Sequence, residues 1–360
     1  MSRRVDGPGE VAERVKAVAL ALGFDRAGIA PLSPTPESQA LRGWIARGYH
    51  GEMRYLARRE AERVDPGRVM EGARSALVVA LVYDREEPNA VESAFATGRV
   101  ARYAGGEDYH DVMLERLRSV GDALEAAAGR PVRTRAYVDT GPLLERVLGA
   151  YAGLGWIGKN TCLIDPELGS YFFLGVLLTD LDLPPDVRSP DHCGTCRACL
   201  DACPTDAFPE PYMMDARRCL SYTTIELRSA TPEPLREPQG DWVFGCDVCQ
   251  EVCPWNGRRL RELPPDPLGL RARLQPPEQW RRPTLAWLLD LREDDWQAAT
   301  RGSALRRAKY RGLLRNALVA AGNSGDPTLR GRVERHAASD DPLLAEHARW
   351  ALAQLGRRCG

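Results

Sequence analysis

The run CGTCRACLDACP, from Cys193 to Pro204, places four cysteines at the spacing C-x2-C-x2-C-x3-C-P. This is the bacterial ferredoxin pattern, and it constrains the fold more than any other feature of the chain. Three thiolates at x2 spacing wrap one side of an iron–sulfur cubane in a tight loop. The fourth, after a longer gap and before a proline, already points elsewhere, and in two-cluster ferredoxins it serves the neighbouring cluster. Tetrahedral zinc instead pairs two separated C-x2-C knuckles, a plan this run does not follow.

A second run, CDVCQEVCPW, matches the last three places of the pattern with Cys246, Cys249 and Cys253, while its first place falls on Val243. The crossed arrangement gives one [4Fe-4S] cluster Cys193, Cys196, Cys199 and Cys253. The other takes Cys203, Cys246 and Cys249 and lacks one thiolate, for which Cys219 in MDARRCLSY is the free cysteine nearby. Cys162 and Cys359 are left over, expected as core filler and unconstrained tail. Eight of the ten cysteines lie between Cys193 and Cys253, which suits metal ligands in a reducing compartment better than a disulfide framework.

The chain around this module is long. It has 360 residues, of which 44% are hydrophobic and 28% charged, as expected of two or three globular domains. MSRRVDGPGEVAERV carries paired arginines but no apolar stretch behind them, and no run approaches the roughly 18 apolar residues of a membrane helix. A cytoplasmic monomer with no membrane partner is expected.

Periodicity predicts helices over 11–24 and 108–129, the latter ended by Gly129 and Pro131, and strands over 75–84, 132–139 and 170–181. This α+β region is expected to span 1–183. A Pro/Asp-rich linker from Leu183 to Pro190 leads into the cluster module, 184–262, and a second Pro-rich stretch, 263–283, precedes a helical region, 280–360. There RNALVAAGNSGDP and RWALAQLGRRCG superpose at a period of 34, setting Gly322 over Gly356, as in HEAT-like helical repeats; a small helical bundle fits equally.

The net charge of −1 excludes a general affinity for polyanions, but Arg301–Gly360 holds twelve Lys/Arg against five Asp/Glu. Any contact with nucleic acid is therefore local. Three stretches have the residues for chemistry. In YVDTGPLLER, Asp139 follows a strand pattern: it is either a helix N-cap or a carboxyl placed at a strand end as a proton donor. GLGWIGKN nearly spells a phosphate loop, but Asn160 stands where Ser or Thr would hold magnesium, and the preceding pattern is helical. Its Trp156, Lys159 and Asn160 suit a large, flat, amide-bearing ligand better. ARYAGGEDYHD offers Tyr103, Asp108, Tyr109 and His110 around two glycines.

Taken in order, RYAGGEDYH, YVDTGPLLER, GLGWIGKN, GSYFFLGVLLTD, the cysteine runs, RCLSYTTIE and LRRAKYRGLLRNALVAAGN closely resemble epoxyqueuosine reductases. The resemblance implies a nitroreductase-like cobalamin-binding domain, a two-cluster ferredoxin-like domain and a HEAT-like tail. It implies cobalamin fed by two [4Fe-4S] clusters, an external donor (a reductase, flavodoxin or ferredoxin), and a tRNA substrate carrying epoxyqueuosine. Asp139 matches the family's proton donor, and a pKa raised by burial beside the corrin is expected of it. Arg63, Tyr103, His110, Lys159, Asn160 and Ser221 are expected at cobalamin. Arg306, Arg307, Lys309, Arg311 and Arg315 are expected at tRNA. Met113 breaks the D-x-H-x-x-G signature begun by Asp108 and His110, so no protein histidine is expected on cobalt. A reductive dehalogenase-like enzyme acting on small molecules and a plain electron-transfer protein are the alternatives. The basic tail argues against the first, and the long first region against the second.

Overall fold

The computed structural model describes residues 7–84, 95–257, 263 and 265–358. Cys359 and the expected end of the cluster module at 262 lie outside the described residues.

Strands Arg26–Pro31 (β1), Ser75–Val82 (β2), Thr134–Tyr137 (β3) and Phe172–Thr179 (β4) form an antiparallel sheet in the order β1-β2-β4-β3. Every residue of β2 is buried, because successive side chains feed different layers. Leu77, Val79 and Leu81 share a core with Val11 and Val15 of the helix Pro8–Ala21 and Leu117 and Leu124 of the helix Tyr109–Ala128. Ala76, Val78 and Ala80 face the opposite way, into a core with Leu143, Leu148 and Leu163. The two helices place their apolar residues at i, i+4 spacing toward the sheet. Gly129, at φ +63°, ends the longer one in a left-handed cap.

The chain next makes a tight crossing. Gly105 has φ +106°, and a Cβ on Gly106 would lie 2.1 Å from the carbonyl oxygen of Leu274. Only glycine admits that approach, so the Gly-Gly pair serves the packing of this crossing against Leu274 and Pro276.

The expected boundaries cut through shared cores. Arg99–Val100 pairs in parallel with Trp242–Phe244, far along the cluster module. Val100 and Ala104 share a core with Val243, Phe244 and the tail residues Leu285, Leu318 and Leu355. Leu270 and Leu274 return to the core of the first region. Val243 is thus a strand residue with no exposed surface, a physical reason why that place in the cysteine pattern holds no thiol.

In the tail, the helices Lys309–Ser324 and Pro342–Arg358 pack together, with Arg330–Ala337 against the second. A Cβ on Gly322 would come within 2.9 Å of the Ala351 backbone, whereas Gly356 meets nothing closer than Arg330 Nη2 at 4.0 Å. The two glycines that superpose in sequence do different work.

Arg315 departs from expectation. It is fully buried and donates to the carbonyls of Thr223, Leu227 and Ser229 and to Asn316 Oδ1, so it contacts no RNA. Asn316 in turn donates to the carbonyls of Thr224 and Val243, at 2.7 and 2.9 Å. Arg315→Ala strands the two buried carbonyl acceptors of Thr223 and Leu227, each costing about 1–3 kcal/mol, so a destabilisation of about 4 kcal/mol is expected in urea unfolding. Arg311→Ala, which removes an exposed pair with Asp341, is expected to cost about 1 kcal/mol or less.

Candidate active site and cluster ligands

The cysteines gather in two sets. Cys193, Cys196, Cys199 and Cys253 line one small cavity together with Lys159, Asn160 and Trp255. Burial, then the neighbouring Cys253, Cys193 and Cys196, push the Cys199 thiol up to about 11. In the second set, burial followed by the charges of Cys219, Asp247 and Cys203 pushes Cys246 up to about 12, against a backbone hydrogen bond from Val248. Cys249 is raised first by its contact with Cys162, then by burial and by Cys219 and Cys246. Four thiolates around one volume repel each other until a cation compensates them. Both sets are all-sulfur, the donor chemistry of iron–sulfur clusters. Among the described residues no three His, Cys, Asp or Glu groups converge on a single-ion site. Cys253 thus shares a cavity with Cys193, Cys196 and Cys199, while Cys219 and Cys203 act on Cys246.

Local structure explains the delivery of Cys219. The turn Ala216–Arg218 is capped by Asp215 and ends at Cys219, which starts the helix Leu220–Ile225. That helix is tied down by the Tyr222 hydroxyl, which accepts from the Glu52 amide at 2.8 Å, and by Arg315 on the Thr223 carbonyl.

Three expectations need correction here. Lys159 Nζ donates to the carbonyls of Gly194 and Cys196, at 2.6 and 2.8 Å, and Asn160 Nδ2 to that of Cys249 at 3.2 Å. These side chains brace the cluster loops and do not line the large cavity described next. Cys162 is not core filler, since its thiol meets that of Cys249.

The large cavity, of about 1670 Å³, is lined by Arg63, Tyr103, His110, Asp139 and Ser221, and by the second-set thiol Cys219. Ordinary small-molecule pockets occupy roughly 300–1,000 Å³, so this one has room for a macrocycle and part of a second ligand. Arg306, Arg307 and Lys309 stand on its rim. Arg307 is already engaged by Glu226 at 2.7 Å, which leaves Arg306 and Lys309 less committed.

Asp139 sits two residues beyond β3, at the centre of a γ-turn. Its φ is +56°, and the Thr140 amide donates to the Val138 carbonyl at 2.6 Å. This is the rarer, strained form of the turn, and Asp is among the few residues that tolerate it. Tyr109 Oη donates to Asp139 Oδ2 at 3.1 Å, and His110 Nε2 lies 3.6 Å from the same oxygen. His110 Nδ1 is 2.6 Å from Asp108 Oδ1, whose side chain also caps the helix.

Burial lowers the His110 pKa, but its hydrogen bonds to Asp108 and Asp139 and their charges outweigh that and bring it to about 9. Burial raises Asp139, yet the contacts of His110 and Tyr109 hold it below the usual carboxylate range. The raised Asp139 expected from sequence is therefore not found: the proton sits on the histidine, and the two groups form one protonated pair. The Asp139 side chain remains 68% accessible from within the cavity.

Glu145 was missed entirely. It opens the helix Glu145–Tyr151, where a carboxylate reads as an ordinary partner for the helix dipole, and it lines the same cavity.

A family model described as a 4Fe-4S double cluster binding domain matches residues 192–256, and one described as Epoxyqueuosine reductase QueG, DUF1730, matches 63–140. The chain is 40% identical over 353 residues to the epoxyqueuosine reductase of Xanthomonas campestris, covering 97% of each chain. It is 38% identical over 353 residues to that of Escherichia coli, covering 96% of this chain and 89% of the other. A crystal structure of an epoxyqueuosine reductase with an epoxyqueuosine-modified tRNA-Tyr stem loop superposes with a TM-score of 0.86 at 29% identity, covering 96% of this chain and 90% of that one. A structure of the Bacillus subtilis enzyme, with its catalytic loop swung out of the active site, superposes with a TM-score of 0.85 at 28% identity, covering 95% and 90%. With 40% identity along almost its whole length, the chain belongs to the epoxyqueuosine reductase family.

Proposed function

We propose that this chain reduces the epoxide of epoxyqueuosine in tRNA to give queuosine. It is an oxidoreductase, as its relatives are named. The observation that carries the reading is one cavity with Cys219 of the second thiol set on its wall and the His110–Asp139 pair beside it. Electrons delivered to the second cluster arrive where a proton is held.

The two thiol sets hold two [4Fe-4S] clusters. Cys196 in the first set is exposed, so an external donor reaches that cluster, and the second set abuts the cavity. Cobalamin is the cofactor the cavity suits: its size fits a corrin, and Trp156 on its wall has a buried Nε1 without a hydrogen-bond partner in the protein. When bound it supplies a strongly reducing metal centre for opening the epoxide. Arg63, Tyr103 and Ser221 contribute walls of its site. Asp108 and Asp139 occupy the two sides of the His110 imidazole, which argues against that ring as a cobalt ligand. The first region and the tail are read as nitroreductase-like and HEAT-like, with Arg306 and Lys309 placed to meet tRNA phosphates at the rim.

The test is turnover. Anaerobically purified protein with about eight irons, as two cubanes require, and bound corrinoid is expected to convert epoxyqueuosine-containing tRNA when supplied with a strong reductant. Full iron and corrinoid content without conversion would overturn the reading.

A further inference from the structure

Turning an epoxide into an alkene and water consumes two electrons and two protons. The clusters supply the electrons. At neutral pH the His110–Asp139 pair holds one proton, because the histidine titrates near pH 9 and its partner carboxylate stays ionised. A second proton has to come from elsewhere in the cavity.

We propose that Glu145, on the wall of the same cavity, is the second proton donor of the reaction. Its Oε1 is buried and has no hydrogen-bond partner in the protein, and the residue lines the cavity, so one carboxyl oxygen is left without a protein group to satisfy it. The charged groups that face it are Asp139 on the turn after β3, its neighbour Arg146, and Arg63 on the helix Glu60–Val64. Among the described residues no ion pair joins Glu145 to either arginine; the Arg63 guanidinium instead donates to the carbonyls of Tyr55 and Arg59, each at 3.4 Å. Burial, and then the Asp139 charge, push the Glu145 carboxyl up to about 8, against a hydrogen bond from its own backbone amide and the two arginine charges. The group is thus a neutral acid at pH 7, and the ionised Asp139 helps keep it so.

The balance then closes. An electron pair enters at the epoxide carbon, the first C–O bond breaks, and its oxygen takes the proton of the His110–Asp139 pair. The carbon pair forms the double bond as the second C–O bond breaks, and the departing hydroxide takes the Glu145 proton to leave as water. Glu145 is left as a carboxylate and regains its proton from solvent.

This inference rests on the functional reading above, and the experiment separates the two. Infrared spectra of the substrate-free holoenzyme at pH 7 are expected to contain a protonated carboxylic acid band that titrates near pH 8 and is absent in Glu145→Gln. In single turnover on epoxyqueuosine-containing tRNA, Glu145→Gln is expected to slow conversion by about 10²-fold or more at unchanged iron content, and Glu145→Asp to restore part of it. The wild-type rate is expected to fall as pH rises through about 8, a step that Glu145→Gln lacks while keeping the one near 9. A wild-type protein that holds its clusters and corrinoid yet leaves the substrate unchanged overturns the functional reading and this inference with it. Conversion by wild type, with Glu145→Gln matching its rate and pH profile or retaining the infrared band, overturns the inference alone.

Discussion

Asp139→Ala is expected to retain both clusters and to lose turnover by about 10²–10⁴-fold, the range over which a positioned acid–base group acts. Asp139 does not belong to either thiol set, so iron and sulfide content should not change. Alanine also dislikes the left-handed backbone at this position, by about 1–2 kcal/mol, which by itself disturbs the turn. Asp139→Asn separates the two effects. Asparagine tolerates the turn and still accepts from Tyr109, but it carries no charge to hold the proton on His110. The His110 pKa is raised by both Asp108 and Asp139, so losing one carboxylate moves it from about 9 part of the way back toward 6.5. Turnover that depends on the protonated ring should then be lost at lower pH than in wild type. Imidazole NMR titration follows that shift, and retained activity in Asp139→Asn would remove Asp139 from the chemistry.

Cys219→Ala is expected to lower iron from about eight to about four per chain, removing the second cubane and sparing the first. None of Cys193, Cys196, Cys199 and Cys253 relies on the turn that delivers Cys219. Turnover should vanish as well, because Cys219 is the thiol of the second set that lines the large cavity. The spectroscopic check is electron paramagnetic resonance of the reduced protein, with one cluster signal where wild type shows two interacting ones. Iron content that stays near eight would mean another residue completes the second set, and Cys162, in contact with Cys249, is the candidate for that role.

What could be read from the chain alone follows local rules. The strands β2 and β4 and the helix Tyr109–Ala128 fall within the stretches that periodicity marks, and the helix Pro8–Ala21 overlaps its stretch but starts earlier, because apolar spacing and caps such as Asp108 and Gly129 act over a few residues. The thiol sets were legible for a similar reason: cluster geometry is encoded in short spacings, and simple counting brought in Cys219. The misassigned residues depend on partners far away. Lys159 and Asn160 reach loops 35 and 89 residues distant, and Arg315 reaches a carbonyl 92 residues upstream. A basic residue on a helix reads as solvated until the packing of that helix is known. The state of Asp139 was misread for a related reason, because burial was weighed without the histidine that Asp108 holds in place.

The pairing of Arg99–Val100 with Trp242–Phe244, and of Arg315 and Asn316 with residues 223–243, also sets a schedule. A ribosome has produced well over half the chain before the first contact can form, and nearly all of it before the second. Contacts so distant in sequence form slowly and leave partly assembled chains exposed to aggregation. The bed of the second cluster is therefore among the last parts of the molecule to become rigid.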